Sequence, residues 1–204
     1  MATARKDTLQ TRRRLIDTAE SLFAERGIDN VSLVDISRCA QQKNRSALQY
    51  HFGDKAGLLN AVLDKHGEGI ARARKQLLDS LEADASYSLE DVVTALVIPI
   101  ADKLSDPEGG IEFLKINSQL MANDHYAAIR LGRVRKIPEA SRLEKMAASK
   151  MPVVPKAVLK ARMLLVDSML FNGLASYASR SAGRDRKVFI KTLIDSITAV
   201  LSQK

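Results

Sequence analysis

A chain of 204 residues has room for one compact domain or two small ones. Hydrophobic residues at 46% and charged residues at 27% are the mix of a globular protein with a buried core, while 4% aromatics, no Trp, 10 Gly and 5 Pro argue against a β-sandwich or barrel. The net charge of +8 suits a polyanionic partner, and a single cysteine excludes an internal disulfide and fits a reducing compartment.

The basic residues near the N-terminus are not followed by an apolar run, so no signal peptide is expected. No apolar stretch approaches the roughly 18 residues of a membrane span. The expected location is the cytoplasm, with no membrane partner. Residues 1–14 hold Arg5, Lys6, Arg12, Arg13 and Arg14 against Asp7 alone, which reads equally as a solvated tail or as an arm lying on DNA. From residue 8 the pattern is helical. Leu15, Ile16, Ala19, Leu22 and Phe23 recur on one face, and Gly27 after Arg26 supplies a left-handed cap. The spacing predicts a helix over 8–26.

Ser32 to Asp35 has the form of a capping box, with Asp in place of the usual Glu. The short helix it starts carries Leu33, Ile36 and Ala40 on one side. Cys39 beside it suits a small half-buried filler better than a redox sensor, since no resolving partner lies near. Gln41 to Asn44 form a polar linker, with Asn44 as N-cap of a helix over 45–52. There Leu48 and Phe52 must face inward, which turns Ser46, Gln49 and Tyr50 outward and leaves Arg45, Ala47 and His51 at the flanks. Two short helices around a tight turn, the second with a polar outer face, are the parts of a DNA-reading helix-turn-helix. The second helix would enter the major groove. Gln49 can pair with adenine, Arg45 with guanine and Ser46 with either, and Tyr50 can reach phosphate or a thymine methyl.

Asp54 can cap a long helix from Lys55 to about Leu81, weakened at Gly67 and Gly69 by about 1 kcal/mol each and linking two domains. A helix over 89–104 contains Pro99, which should kink it. Another covers 111–121 with Phe113, Leu114, Ile116 and Leu120 inward. Residues 124–150 are helical in pattern, strongly basic and divided at Pro138; the basic stretch 130–162 suits a solvated face, or attraction of an anionic ligand such as an acyl-CoA. Pro155 suits a first turn. The segments 157–178 and 186–201, separated at Gly183, are apolar on more than one face. A chain this size cannot hide both completely, so a homodimer through these two helices is expected.

For catalysis the sequence is nearly silent. His51, His66 and His125 stand in no metal-binding spacing, no phosphate loop follows a strand, and Ser168 and Ser176 lack a nucleophile elbow. No enzyme activity, metal or cofactor is expected.

Residues 8–65 resemble the DNA-binding domain of the tetracycline-repressor (TetR) family of transcriptional regulators. The resemblance rests on Leu15-Ile16, Ala19, Leu22-Phe23 and Gly27, on Ser32 where the family places a phosphate-binding Thr or Ser, and on Asp35-Ile36 and Ala40. Leu48, His51, Phe52, Lys55 and Leu58-Leu59 continue it. The usual Gly-Val-Ser turn is replaced by Gln41-Gln42-Lys43-Asn44, and the spacing from Ile36 to Phe52 is one residue longer. In this it is similar to a subgroup with a Gln- and Asn-containing turn. The family's phosphate-binding Tyr falls at Gln49.

The resemblance implies an all-α protein. Residues 1–54 would form a three-helix DNA-binding domain, and 55–204 a helical domain that binds a ligand and dimerises. It implies a regulator, expected to be a ligand-responsive repressor on a palindromic operator of double-stranded DNA. The expected DNA-binding residues are Ser32, Lys43, Asn44, Arg45, Ser46, Gln49, Tyr50, His51 and Lys55. Candidate liners for an unknown small-molecule effector are Phe113, Asn117, Met121, Met169, Phe171 and Asn172, apolar or amide-bearing residues that fit a plain core as well. The rival reading is a small-molecule-binding or adaptor protein that has lost specific DNA reading.

Overall fold

The first helix carries its apolar residues where the sequence puts them. In the computed structural model Leu15, Ala19 and Phe23 are fully buried, and Ile16 and Leu22 nearly so. The structure describes residues 7–42, 44, 46–84, 86–122, 126, 129, 132–133, 137–180 and 185–204, together with the backbone of 2–6. The helix, α1, spans Ala2–Arg26, six residues longer than predicted. Ala2, Ala4, Arg5 and Lys6 are good helix formers, and no Gly or Pro stops propagation toward the N-terminus. This correction places residues 2–14 on a helix rather than in a tail. Gly27 ends it at φ +91°, with its N–H on the Phe23 carbonyl.

Two short helices follow, α2 at Leu33–Cys39 and α3 at Ala47–Phe52. Then α4, Lys55–Ala83, runs without a break from the N-terminal head into the body. The body continues with α5, Leu89–Ala101, which passes into a 3-10 turn at Asp102–Ser105. Next come α6 at Gly110–Met121, α7 at Pro138–Lys150, α8 at Lys156–Ser179 and α9 at Arg186–Ser202. Among the described residues every regular element is helical. No helix among them is long and apolar enough to cross a membrane, and they hold no group of three metal-ligating side chains.

One apolar core joins head and body. It runs from Leu15, Phe23, Ile36 and Leu48 through Leu58, Leu59 and Val62 to Val97, Leu114, Ile116, Leu120, Leu170, Leu174 and Ile197. Truncating a fully buried aromatic such as Phe23 to Ala costs about 3–5 kcal/mol in such a setting. A smaller cluster of Leu78, Val92, Ala95 and Met146 closes the far end.

Pro99 is buried inside α5. A proline has no N–H, so the Ala95 carbonyl four residues back loses its helical donor. Arg74 of α4, itself buried, donates from Nε to the Ala95 carbonyl at 3.3 Å and from Nη2 to the Leu96 carbonyl at 3.2 Å. Burial pulls the Arg74 pKa down to about 10, so the group stays cationic at neutral pH.

Where it is described, the basic stretch is in part a solvated face, with Lys145, Lys156 and Lys160 exposed, and in part paired. Arg133 donates to Asn60 and Asp64 of α4, and Arg142 to Asp79 and Glu82. The Lys150 ammonium lies 4.3 Å from the Tyr87 ring centroid. Arg130, Arg135 and Lys136, like Gly183, lie outside the described residues.

Candidate nucleic-acid interface

The capping box is present. Ser32 has extended backbone (φ −92°, ψ 159°), its Oγ accepts from the Asp35 N–H at 3.1 Å, and the Ser32 N–H donates to Asp35 Oδ2 at 3.1 Å. The Ser32 hydroxyl also donates to the same carboxylate oxygen, at 2.5 Å. A phosphate would therefore compete with Asp35 for that hydrogen. Arg38 donates to the other Asp35 oxygen at 2.5 Å, so α2 carries a cation held in place on its surface. The Ser32 hydroxyl and N–H, with help from Arg38, hold the Asp35 carboxyl below the usual carboxylate range. Ile36 and Ala40 pack inward. Cys39 is exposed, not half-buried as expected, because a two-turn helix buries only the Ile36–Ala40 line and Cys39 lies off it.

The turn differs from expectation in one respect. The helix after the turn, α3, begins at Ala47 with Ser46 as N-cap, and Ser46 makes no side-chain cap bond. Asn44 is not the cap. Its Oδ1 accepts from the Ser46 N–H at 3.0 Å and its carbonyl from the Ala47 N–H at 3.1 Å, an Asx turn that leads into the helix. Gln41 stands at φ +52°, the non-glycine residue with positive φ among those described.

Within α3, Ala47 and Leu48 are buried while Ser46, Gln49 and Tyr50 are exposed, Tyr50 by 81%. The outward face is the one periodicity predicts. His51 is half-buried between neighbours, edge-on to Tyr50 at 5.1 Å and tilted on Phe52 at 5.8 Å. The Arg12 guanidinium of α1 lies 5.3 Å over the Phe52 ring, a contact worth about 0.5–1 kcal/mol at an exposed site. Asp54 caps α4 through the Gly57 N–H at 2.7 Å. Lys55 in its first turn reaches the Asp29 carbonyl at 3.5 Å. Lys43 and Arg45 lie outside the described residues.

The head is tied to the body by groups that the sequence reading missed. Gln119 of α6 donates to the Phe23 carbonyl in the last turn of α1 at 2.9 Å and accepts from the Ile28 N–H at 2.8 Å. The Tyr126 hydroxyl donates to Asp29 at 2.5 Å; burial and that carboxylate push its pKa up to about 12. Glu20 of α1 is buried, accepting from His66 Nε2 at 2.6 Å and from Lys65 at 2.6 Å, and Lys65 also bonds Asp17 at 2.7 Å. Burial alone would lower the Lys65 pKa, but the bonds to Asp17 and Glu20 leave it raised. A signal existed. Glu20 falls between Ile16 and Phe23 on the apolar face of α1, and His66 between Val62 and Ile70 on that of α4. Charged residues at such positions are paired in the fold.

Of the candidate effector residues, Phe113 and Phe171 are buried in the core, and Met121 and Met169 pack partly buried against it. Asn117 is buried and donates to the Phe113 carbonyl at 2.9 Å. Asn172 accepts from the Ser118 hydroxyl at 2.6 Å and donates to Ser168 at 3.0 Å. A cleft of about 1130 Å³ between α1, α4 and the start of α7 is lined by none of these six. Arg13, Asp64, Lys65, Glu108 and Arg133 line it instead, already engaged with one another or with neighbours.

Residues 15–62 match the family model for bacterial regulatory proteins of the tetR family. The HTH-type transcriptional regulator TtgR of Pseudomonas putida is 37% identical over 60 residues, as is the probable regulator ArpR of the same species. That alignment covers 29% of this chain and 28% of either relative, so the chain spans little more than a quarter of the length of the curated relatives it matches. The fold likeness extends much further. Native NalD of Pseudomonas aeruginosa, described as the secondary repressor of the MexAB-OprM multidrug efflux pump, superposes with a TM-score of 0.63 at 20% identity, over 97% of this chain and 99% of NalD. A putative TetR-family regulator from Rhodococcus sp. gives 0.53 at 19% identity, over 95% and 100%. Residues 15–62 are therefore similar to the tetR family of bacterial regulatory proteins. The helical body behind them has the fold of solved proteins of that kind.

Proposed function

We propose that this protein is a DNA-binding transcriptional regulator, a ligand-responsive repressor that binds a palindromic operator as a homodimer in the cytoplasm. Residues 1–54 form the reading head, and 55–204 the effector-binding and dimerising body. The observation that carries the reading is the exposed face of α3. Ser46, Gln49 and Tyr50 stand outward on a helix anchored by buried Ala47 and Leu48, a donor and acceptor set suited to base edges. Arg38 and Lys55, at the surface on either side, supply cations for the phosphate backbone. The likeness of the head to the transcriptional regulator TtgR supports the regulator reading.

Dimerisation is supported by apolar exposure confined largely to two helices. Val158, Leu159, Met163, Leu164 and Leu165 of α8 are 38–64% exposed and Val188 of α9 is 61% exposed. Fully burying a side chain of this size contributes about 1.5–3 kcal/mol. A two-fold pairing of α8 and α9 would place the two heads on a symmetric site. An effector bound among Phe113, Asn117, Met121, Met169, Phe171 and Asn172 would act by preferring one arrangement of the heads, since equal affinity for both shifts nothing.

The test is a mobility-shift assay of the full chain on DNA upstream of its own gene, across a salt series. Binding should fall steeply with salt, and Lys55→Ala should weaken it on all sequences while lowering the salt slope by about one. Absence of any sequence-selective binding would leave the small-molecule-binding or adaptor reading in its place.

A further inference from the structure

The end of α8 remote from its exposed apolar patch meets the joint between head and body, and a second cleft opens there, of about 400 Å³. Ala24 of α1, Lys115, Ser118 and Gln119 of α6, and Ala175, Ser176, Ser179 and Arg180 of α8 form its walls. The charge on this lining has one sign. Lys115 and Arg180 are its two ionised groups, and no carboxylate is among the lining residues. Elsewhere in the body several surface cations are matched by a carboxylate: Arg133 by Asp64, Arg142 by Asp79 and Glu82, Arg186 by Asp102, and Lys191 by Glu90. Among the described residues neither Lys115 nor Arg180 has such a partner.

The hydroxyls divide by use. Ser118 gives its hydrogen to Asn172, and Ser179 to the Ala175 carbonyl at 3.0 Å, so those two are wall. Lys115, Arg180 and Ser176 keep donors for a ligand, and Gln119 has a second amide hydrogen beyond the one on the Phe23 carbonyl.

We propose that this cleft binds a small phosphate-bearing ligand, and that Gln119 reports its occupancy to the DNA-binding head. The inference rests on the regulator reading above. Two cations balance the charge that a phosphate monoester carries near neutral pH, and charge-assisted bonds from an ammonium and a guanidinium are the strong ones. The volume exceeds that of a bare phosphate ion and leaves room for a short carbon skeleton. Gln119 links the site to the head, because the amide at the cleft is the one that holds the last turn of α1 and the Ile28 N–H. A ligand oxygen that takes the second hydrogen of this amide draws the side chain toward the cleft, which alters its bonds to the Phe23 carbonyl and the Ile28 N–H. Occupancy therefore changes how α1, and with it α2 and α3, sits on the body. The site lies at least 10 residues along α8 from Leu165, about 15 Å at the helical rise, clear of the exposed apolar patch.

The test is calorimetric titration of the full chain without DNA, using inorganic phosphate and glycerol 3-phosphate at constant ionic strength with chloride as the reference anion. Saturable binding is expected, tighter for the monoester. Lys115→Met and Arg180→Met should each weaken it about tenfold or more without moving the thermal midpoint measured in chloride. Tighter binding of inorganic phosphate than of the monoester would make the free ion the ligand and overturn the assignment of a carbon skeleton. Operator affinity should change with the bound monoester in wild-type protein and stay constant in Gln119→Ala. No saturable binding, or binding in either cation variant as tight as in wild type, would overturn the site. Binding without any change in operator affinity would overturn the coupling. The titration contains no DNA and the reference operator binding is read without phosphate, so failure of the site and failure of the regulator reading are separate results.

Discussion

Gln41 is the residue at which the head carries backbone strain. Its φ of +52° lies in the left-handed region, which costs a side-chain-bearing residue about 1–2 kcal/mol. The strain is tolerated because the flanking bonds define the turn: the Gln41 N–H on the Arg38 carbonyl, the Gln42 N–H on the Ser37 carbonyl, and the Asn44 N–H on Gln42 Oε1. Gln41→Gly should then leave the thermal midpoint unchanged or raise it by up to about 1 kcal/mol of stability. Gln41→Val, with a branched Cβ in the same region, should lower it. A Gly variant less stable than the Val variant would remove strain from the account. At this scale the sequence was informative for outward and inward positions and poor for caps. The periodicity anchored by Leu48 and Phe52 placed Ser46, Gln49 and Tyr50 correctly. The helix start was misplaced because Asn can cap a helix or make an Asx turn, and one residue's chemistry does not choose between them.

At the scale of elements, α4 and α5 show why packing and backbone chemistry must be considered together. The pattern reading placed Pro99 inside one helix and expected a kink there; in the structure α5 runs through Pro99, with Arg74 on the carbonyls of Ala95 and Leu96. Arg74→Met should destabilise the protein by about 1–3 kcal/mol, the cost of leaving a buried acceptor unmet. In a Pro99→Ala background alanine restores an N–H for the Ala95 carbonyl, so the same change should cost less. Urea denaturation of the four proteins of this double-mutant cycle measures the coupling, and simple additivity would contradict it. The helices themselves were legible from period and punctuation, as at Gly27, Asp54 and Pro138. What sequence could not supply was the partner of each buried polar group. Glu20 and His66 lie 46 positions apart along the chain, and their meeting depends on how α1 crosses α4. Gly109 belongs to the same crossing. It stands at φ +89°, and a Cβ there would come within 2.1 Å of Glu20 Oε2.

The whole molecule is a head and a body that share one apolar core, with α4 unbroken between them and Gln119 and Tyr126 holding the joint. Such a joint can pass a change in the body to α3 without a flexible hinge, because packed elements shift between discrete arrangements rather than bending continuously. The overall class was legible because residues 8–65 hold a long run of matched positions. The surplus of apolar surface on the two C-terminal helices was legible, and the structure leaves part of it exposed on α8 and α9. The cleft at Lys115 and Arg180 was not, since its walls come from three helices far apart in sequence. The central claim is that α3 reads DNA from a two-fold-symmetric pair of heads. Selection of binding sites from random double-stranded DNA, with wild-type protein and with Gln49→Ala/Tyr50→Ala, tests it most directly. The account predicts that wild type enriches an inverted repeat and that the double variant relaxes or changes the preferred bases within each half-site. No enriched sequence for wild type, or the same half-site for both proteins, would contradict it.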